Sequence, residues 1–355
     1  MTAPLRLFAI ATLGAPTLLG LGAVLGGVWA VAGLVWMTLL TATLDEAVAR
    51  ATENAPEGAE FPHADTLSVA LAAVHFALLA LVVAALAGRT GLAGWERVVL
   101  FFGAVQFMGQ VSNSNAHELI HRGARWLHGL GKWVYISMLY GQHASAHLLV
   151  HHVHAATKND PNSARRGEGL YRFIRRAWPG EFRAGLAAER ARAERAGRPR
   201  WRNPYLSYLA GGAGFLALAA LIGGPVGLAG YIGLSLMAQV QLLMSDYVQH
   251  YGLQRRPRPD GRPEPMGVRH SWNAPHWFSS ALMLNAPRHS DHHTHPARVY
   301  PALRLTEDMP VLPRSLPAMA TLALFPRLWR RVMDPRVADW QDGAERPAPG
   351  APSKG

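Results

Sequence analysis

The chain has 355 residues, half of them hydrophobic and 16% charged, with a formal net charge of +12. So few charges, bunched rather than spread, describe a polytopic membrane protein rather than a large soluble domain. It contains no cysteine, which excludes disulfides, thiolate zinc sites, iron–sulfur clusters and a fused rubredoxin-like module, so any electrons it consumes come from another protein.

No formal charge falls between Arg6 and Asp45, and Gly26-Gly27 divides this run into two predicted spans, roughly 7–25 and 28–44. The first lacks a small-residue cleavage site and the second follows directly, so the run is expected to stay in the protein rather than be removed as a signal peptide. Residues 66–88 and 98–116 each match one crossing at ~20 residues. The stretch 203–245 is uncharged with Gly223-Gly224-Pro225 in its middle, which predicts a helical hairpin with spans 205–222 and 226–244. Six spans place the N-terminus and the Arg-rich segments 114–204 and 246–340 on one side, with Arg89 and Arg97 on the other. Arg-rich loops belong in the cytoplasm. The basic excess fits lipid headgroups or an acidic partner; with no nucleic-acid fold signature, nucleic acid is not expected as a partner. Residues 184–202, rich in Ala, Arg and Glu, predict a solvated helix. The Pro/Gly-rich tail 341–355 is expected to be disordered, leaving 1–340 as a single domain.

Nine histidines fall in four boxes: His117 and His121; His147, His151 and His152; His250; and His289, His292 and His293. One zinc ion takes about four ligands, so the boxes point to two metals. His117/His121, His147/His151 and His289/His293 each stand four apart. On a helix each pair shares a face, and each face is expected to grip a metal.

His117-Glu118-Leu119-Ile120-His121 also matches the zinc-protease pattern, with Glu118 as general base. That chemistry needs one more ligand, whereas this chain offers seven more boxed histidines. The second box lies in a stretch, 133–157, free of Lys, Arg, Asp and Glu, where imidazole is costly without a partner for each ring nitrogen. A metal supplies one. His143 and His154 flank this box and suit supporting or surface roles. Asp160 and, around the other boxes, Glu118, Asp246 and Asp291 are candidates to orient ligand imidazoles from behind. His250 ends the last predicted span and by spacing alone is either a ligand or an interfacial hydrogen-bond partner. His270, His276 and His295 lack ligand spacing.

Together the boxes resemble the membrane di-iron hydroxylase and desaturase superfamily, marked by His-x3-His, His-x3-His-His and His-x2-His-His. Within it the chain is similar to the alkane hydroxylase (alkane 1-monooxygenase) branch. The resemblance is carried by His117-Glu-Leu-Ile-His121-Arg122, Ala156-Thr157, Asp160-Pro161-Asn162-Ser163-Ala164-Arg165, His250-Tyr251-Gly252-Leu253, His270-Ser271-Trp272-Asn273 and Arg288-His289-Ser290-Asp291-His292-His293. Near the end, Pro326-Arg327-Leu328-Trp329-Arg330 and Val332-Met333-Asp334-Pro335-Arg336 fit as well.

The resemblance implies an all-α integral membrane fold: six transmembrane helices with a cytoplasmic helical cap carrying a histidine-rich di-iron site. It implies that all nine boxed histidines bind two irons, that dioxygen is the co-substrate, and that electrons come from rubredoxin or ferredoxin with an NAD(P)H-dependent reductase. The implied reaction hydroxylates the terminal methyl of alkanes to primary alcohols; some relatives oxidise alkyl-aromatic methyl groups. A lipid desaturase or hydroxylase of the same superfamily is the alternative, and a metal transporter or sensor a further one. Asp45 resembles an acidic position of the family, or is an interfacial charge.

The chain departs from that pattern at Ala146 and Gln249, where carboxylates are usual, and at Val150, where glycine is usual. Imidazole suits iron, copper and zinc, but oxidising an inert C–H bond with dioxygen calls for a redox metal, which favours iron. A substrate without polar groups would enter from lipid, past aliphatic side chains such as Leu18, Leu19, Leu21, Val35, Met37 and Leu39, which otherwise face lipid.

Overall fold

The computed structural model describes residues 3–47 and 53–343. Among them there is no strand, only two isolated backbone bridges. Most of the predicted tail, from 344 on, lies outside the described residues.

Helix α1 (Ala3–Leu25) turns at Gly26 into α2 (Gly27–Ala47). Gly26 adopts φ 65 and ψ −152, a conformation that only glycine enters freely. The reversal is tight: a Cβ on Gly22 would stand 2.7 Å from the Ala30 backbone. Helix α3 (Ala64–Leu86) follows. Helix α4 runs from Gly94–Gln106 through a π-helical turn, Phe107–Ser112, into Asn113–Ile120. The predicted hairpin at 203–245 is one helical run, α8 (Pro204–Gln249), broken at Gly224 with φ 60 and ψ −154. A Cβ on Gly227 would lie 3.3 Å from the Ala219 carbonyl, whereas eight residues of straight helix span about 12 Å. The two halves therefore fold back on each other.

Leu5–Leu25, Gly27–Ala47, Ala64–Leu86 and Pro204–Gln249 are long and apolar enough to cross a membrane by length and composition. Their outer surfaces are apolar: Val28, Leu39 and Leu221 are 72%, 66% and 82% exposed, a display soluble monomers avoid. Within, small residues let helices approach; a Cβ on Gly33 or on Gly103 would strike Leu19 at 2.6 Å. Of the aliphatic side chains expected to line a substrate path, Leu19 and Met37 are buried, while Leu21, Val35 and Leu39 face outward. Those three sit on the wrong side of their helices for that role.

The remaining helices form a cap: α5 (Arg125–Ser137), α6 (His143–His154), α7 (Leu170–Arg195), α9 (Trp277–Leu282), α10 (His289–Thr294), α11 (Leu316–Ala323) and α12 (Pro326–Gly343). The segment from 184 is not simply solvated. It is the second half of α7, whose Phe173, Ala177, Glu181, Gly185 and Glu189 are all buried, a stripe at every fourth residue hidden in a polar composition. In the cap core, Trp329 of α12 is wedged between Tyr247 and Tyr251, ring centroids 5.1 and 5.2 Å away, and the Tyr251 hydroxyl donates to Asp334 at 2.6 Å. This pins the end of α8. Cap and apolar helices join where Asp45, closing α2, accepts the Phe278 and Ser279 amides of α9 at 3.1 Å, and where Phe8 meets the Tyr300 ring at 4.9 Å. Asp45 is buried, so it is not an exposed interfacial charge.

Candidate metal centre

The nine boxed histidines come from four places: the C-terminal end of α4, all of α6, the residue after α8, and α10. They gather into two groups. His117, His121, His147, His152 and His292 form one, and His151, His250, His289 and His293 the other, with the potential ligand atoms in each within 4.8 Å of one another.

In the first group the Nε2 atom of His147 lies 2.8 Å from that of His117, 3.1 Å from His121 and 3.0 Å from His152, and His292 lies 3.2 Å from His152. In the second, the Nε2 atoms of His250, His289 and His293 are 2.9, 3.1 and 3.2 Å apart. An Nε2 carries at most one proton, so three converging nitrogens cannot all be satisfied by one another. A shared cation satisfies them, and spacings near 3 Å suit ligand nitrogens held at right angles about 2.1 Å from one ion.

Burial, reinforced by the neighbouring imidazoles, holds His117, His121, His147, His250, His289, His292 and His293 well below the ordinary histidine range and brings His152 down to about 3. Neutral rings keep the lone pair a metal requires. At His151 burial pulls the same way, but Asp160, whose Oδ2 is 2.9 Å from Nδ1, outweighs it and lifts the ring to about 9. With Nδ1 committed to Asp160, the buried Nε2 of His151 has no hydrogen-bond partner among the described residues. The donor set fits a metal pair.

The partition departs from the spacing argument at one box. His117 and His121 share a group, as do His289 and His293, but His147 and His151 are split and His147 pairs with His152. The cause is the π-helical turn over His147–His151. A π turn is closed by i→i+5 bonds and so winds more residues per turn than an α turn, which brings His152, five residues on, within 3.0 Å of His147.

Of the four carboxylates expected behind the imidazoles, Asp160 alone among the described residues is hydrogen-bonded to one of the nine. Glu118 bonds to Arg122 and takes the Tyr300 amide at 3.1 Å. Asp291 holds Arg298 at 2.6 Å and the Arg304 amide at 2.8 Å. Asp246 accepts from Asn162 at 2.7 Å. These three tie helices and loops together instead. His143 bonds Glu181 at 2.7 Å, and His270 bonds Glu264 at 2.9 Å. At Gln249 the amide donates to the Ala286 carbonyl at 3.0 Å, anchoring the loop that leads into α10.

Two contributors carried no spacing signal. Asn273 accepts the Ser290 amide at 2.9 Å and donates to the Ser290 hydroxyl at 2.7 Å, which fixes the first turn of α10. Glu181 reaches the histidine layer from α7.

Among the described residues, fold and site together define an all-helical protein of membrane type that gathers two histidine clusters able to hold metal where its apolar helices end. Residues 93–323 match the fatty acid desaturase family. The chain is 35% identical over 315 residues to alkane 1-monooxygenase 2 of Pseudomonas aeruginosa, spanning 85% of this chain and 82% of that one. It is 36% identical over 265 residues to alkane 1-monooxygenase 1 of the same organism, spanning 73% and 67%. It is also 28% identical over 235 residues to the xylene/toluene monooxygenase hydroxylase component of Pseudomonas putida, spanning 63% and 60%. The chain belongs to the fatty acid desaturase family.

Proposed function

We propose that this protein is an integral-membrane, non-haem di-iron monooxygenase that hydroxylates the terminal methyl of an alkane or related hydrophobic chain. The balance is R–CH3 + O2 + two electrons + two protons giving R–CH2OH + H2O. The observation that carries this reading is the gathering of nine imidazoles into groups of five and four, in a family whose similar members are named alkane 1-monooxygenases.

In this reading His117, His121, His147, His152 and His292 hold one iron, and His151, His250, His289 and His293 the other. Bound by these residues, iron would supply the redox chemistry that turns dioxygen and donor electrons against the C–H bond. The chain's own residues hold, orient and shield. Asp160 fixes the His151 tautomer through Nδ1. Glu118, committed to Arg122 and the Tyr300 amide, is not free to be the general base that a zinc protease needs. Residues 1–340 act as one domain with six spans: α1, α2, α3, residues 98–116 of α4 and the two halves of α8. The Arg-rich cap faces the cytoplasm by the positive-inside rule, and electrons come from rubredoxin or ferredoxin with its reductase. The apolar substrate arrives from the bilayer.

A second substrate class, the methyl group of an alkyl aromatic, is supported by the similarity to the xylene/toluene monooxygenase component. The test is to supply membranes carrying the protein with rubredoxin and its reductase and offer alkanes, alkyl aromatics and fatty acids. A primary alcohol from an alkane, with about two irons per chain, is expected. A new double bond, or a single zinc, contradicts the proposal.

A further inference from the structure

Helices α6 and α7 meet almost backbone to backbone. A Cβ on Gly185 would stand 2.9 Å from the Ala146 Cβ and would strike the Tyr205 hydroxyl. One turn before Gly185, this close approach delivers Glu181, 2% exposed, into the layer behind the histidines. Its carboxylate takes three donors: the Tyr140 hydroxyl, His143 Nδ1 at 2.7 Å and Asn162 Nδ2 at 3.2 Å. Asn162 hands the network on, donating to Asp246 at 2.7 Å and, through its amide, to Asp160 at 3.0 Å. Asp160 in turn holds His151. On the other side, the His143 ring lies 5.1 Å from that of His147. Glu181 thus leads by one path to each histidine group.

Charge gives this placement a purpose. The ligand set is imidazole throughout, so two bound cations bring several positive charges into a buried layer with no anionic ligand, and an isolated buried charge is costly. Glu181 packs in the same tight seam as Ala146, His147, Val150, His151, Asp160 and Asn162. The α6 side of that seam offers only the aliphatic Ala146 and Val150 between histidines, so its carboxylates come from Asp160 after α6 and from Glu181 on α7.

We propose that Glu181 is a positioning residue for the metal pair: its carboxylate, acting through His143 and Asn162, orients the histidine layer and offsets the charge of the bound ions. The inference rests on the di-iron reading.

The test measures iron loss from purified holoprotein to a ferrous chelator, alongside the thermal midpoint of the metal-free protein. Glu181→Gln keeps the shape and removes the charge; it should lose iron on the order of 10-fold more readily, the scale of an outer hydrogen-bond partner of a metal site, while the metal-free protein still folds, as its thermal midpoint reports. Glu181→Ala should lose iron at least as readily. Equal release from wild type and Glu181→Gln overturns the proposal. A wild-type protein that never holds iron overturns the di-iron reading instead.

Discussion

The two histidine groups use one kind of side chain in two different settings. In the group of His117, His121, His147, His152 and His292, His147 and His292 are fully buried and the other three half-buried; in the group of His151, His250, His289 and His293 every ring is fully buried. The open group has five imidazoles. The closed one has four, with Asp160 hydrogen-bonded behind His151. Exposure and carboxylate support thus fall on opposite groups: the first is partly open, and the second carries the buried Asp160 behind one of its rings.

Deleting a ligand from each group gives the largest effect. His250→Ala leaves three imidazoles and should lose its ion outright, so iron analysis should find about half the wild-type metal. His121→Ala leaves four, and should keep both ions with weakened affinity; turnover should vanish in both. Greater iron loss from His121→Ala would break the comparison.

Asp160→Asn is the next largest. It should weaken binding by roughly 10- to 100-fold, as outer partners of ligand histidines do. The loss should be confined to the closed group, which metal-site spectroscopy can check. Asn273→Ala sharpens the contrast by ignoring it. It strips two bonds from Ser290, at about 1–3 kcal/mol, and should loosen both groups together because α10 serves both. Selective loss from one group in a thermal melt followed by iron release would count against that.

The smallest effect lies away from the metals. Burial acts to raise the Glu168 carboxyl, but Arg176 and the Arg165 amide outweigh it and hold it below its ordinary 4.5. Its folded-state pKa is depressed, so its contribution to stability is full above the unfolded value and disappears as pH falls through the folded one. Glu168→Gln should flatten the acid limb of the stability curve below about pH 4.5 and leave iron content at neutral pH unchanged.

What the sequence disclosed and withheld has physical causes. Uncharged runs and paired glycines revealed the hairpins at Gly26 and Gly224, because charge and backbone freedom are local properties. Imidazoles in apolar stretches marked the site, because they are expensive there without a partner. The split of His147 from His151 stayed hidden because a π turn leaves no trace in a 3.6-residue period. Glu189 looked solvated because its neighbours are Ala and Arg, and Glu181 carried no signal at all; only packing of α7 against α6 shows which face is inside. Glu118 and Asp291 lie within the boxes yet hold arginines, since adjacency in sequence does not aim a carboxylate at the neighbouring ring.

The most direct test of the central claim is metal analysis of the purified protein together with X-ray absorption at the iron edge. About two irons per chain, ligated by imidazole nitrogen, is the predicted result. One metal per chain, or zinc in place of iron, would contradict it.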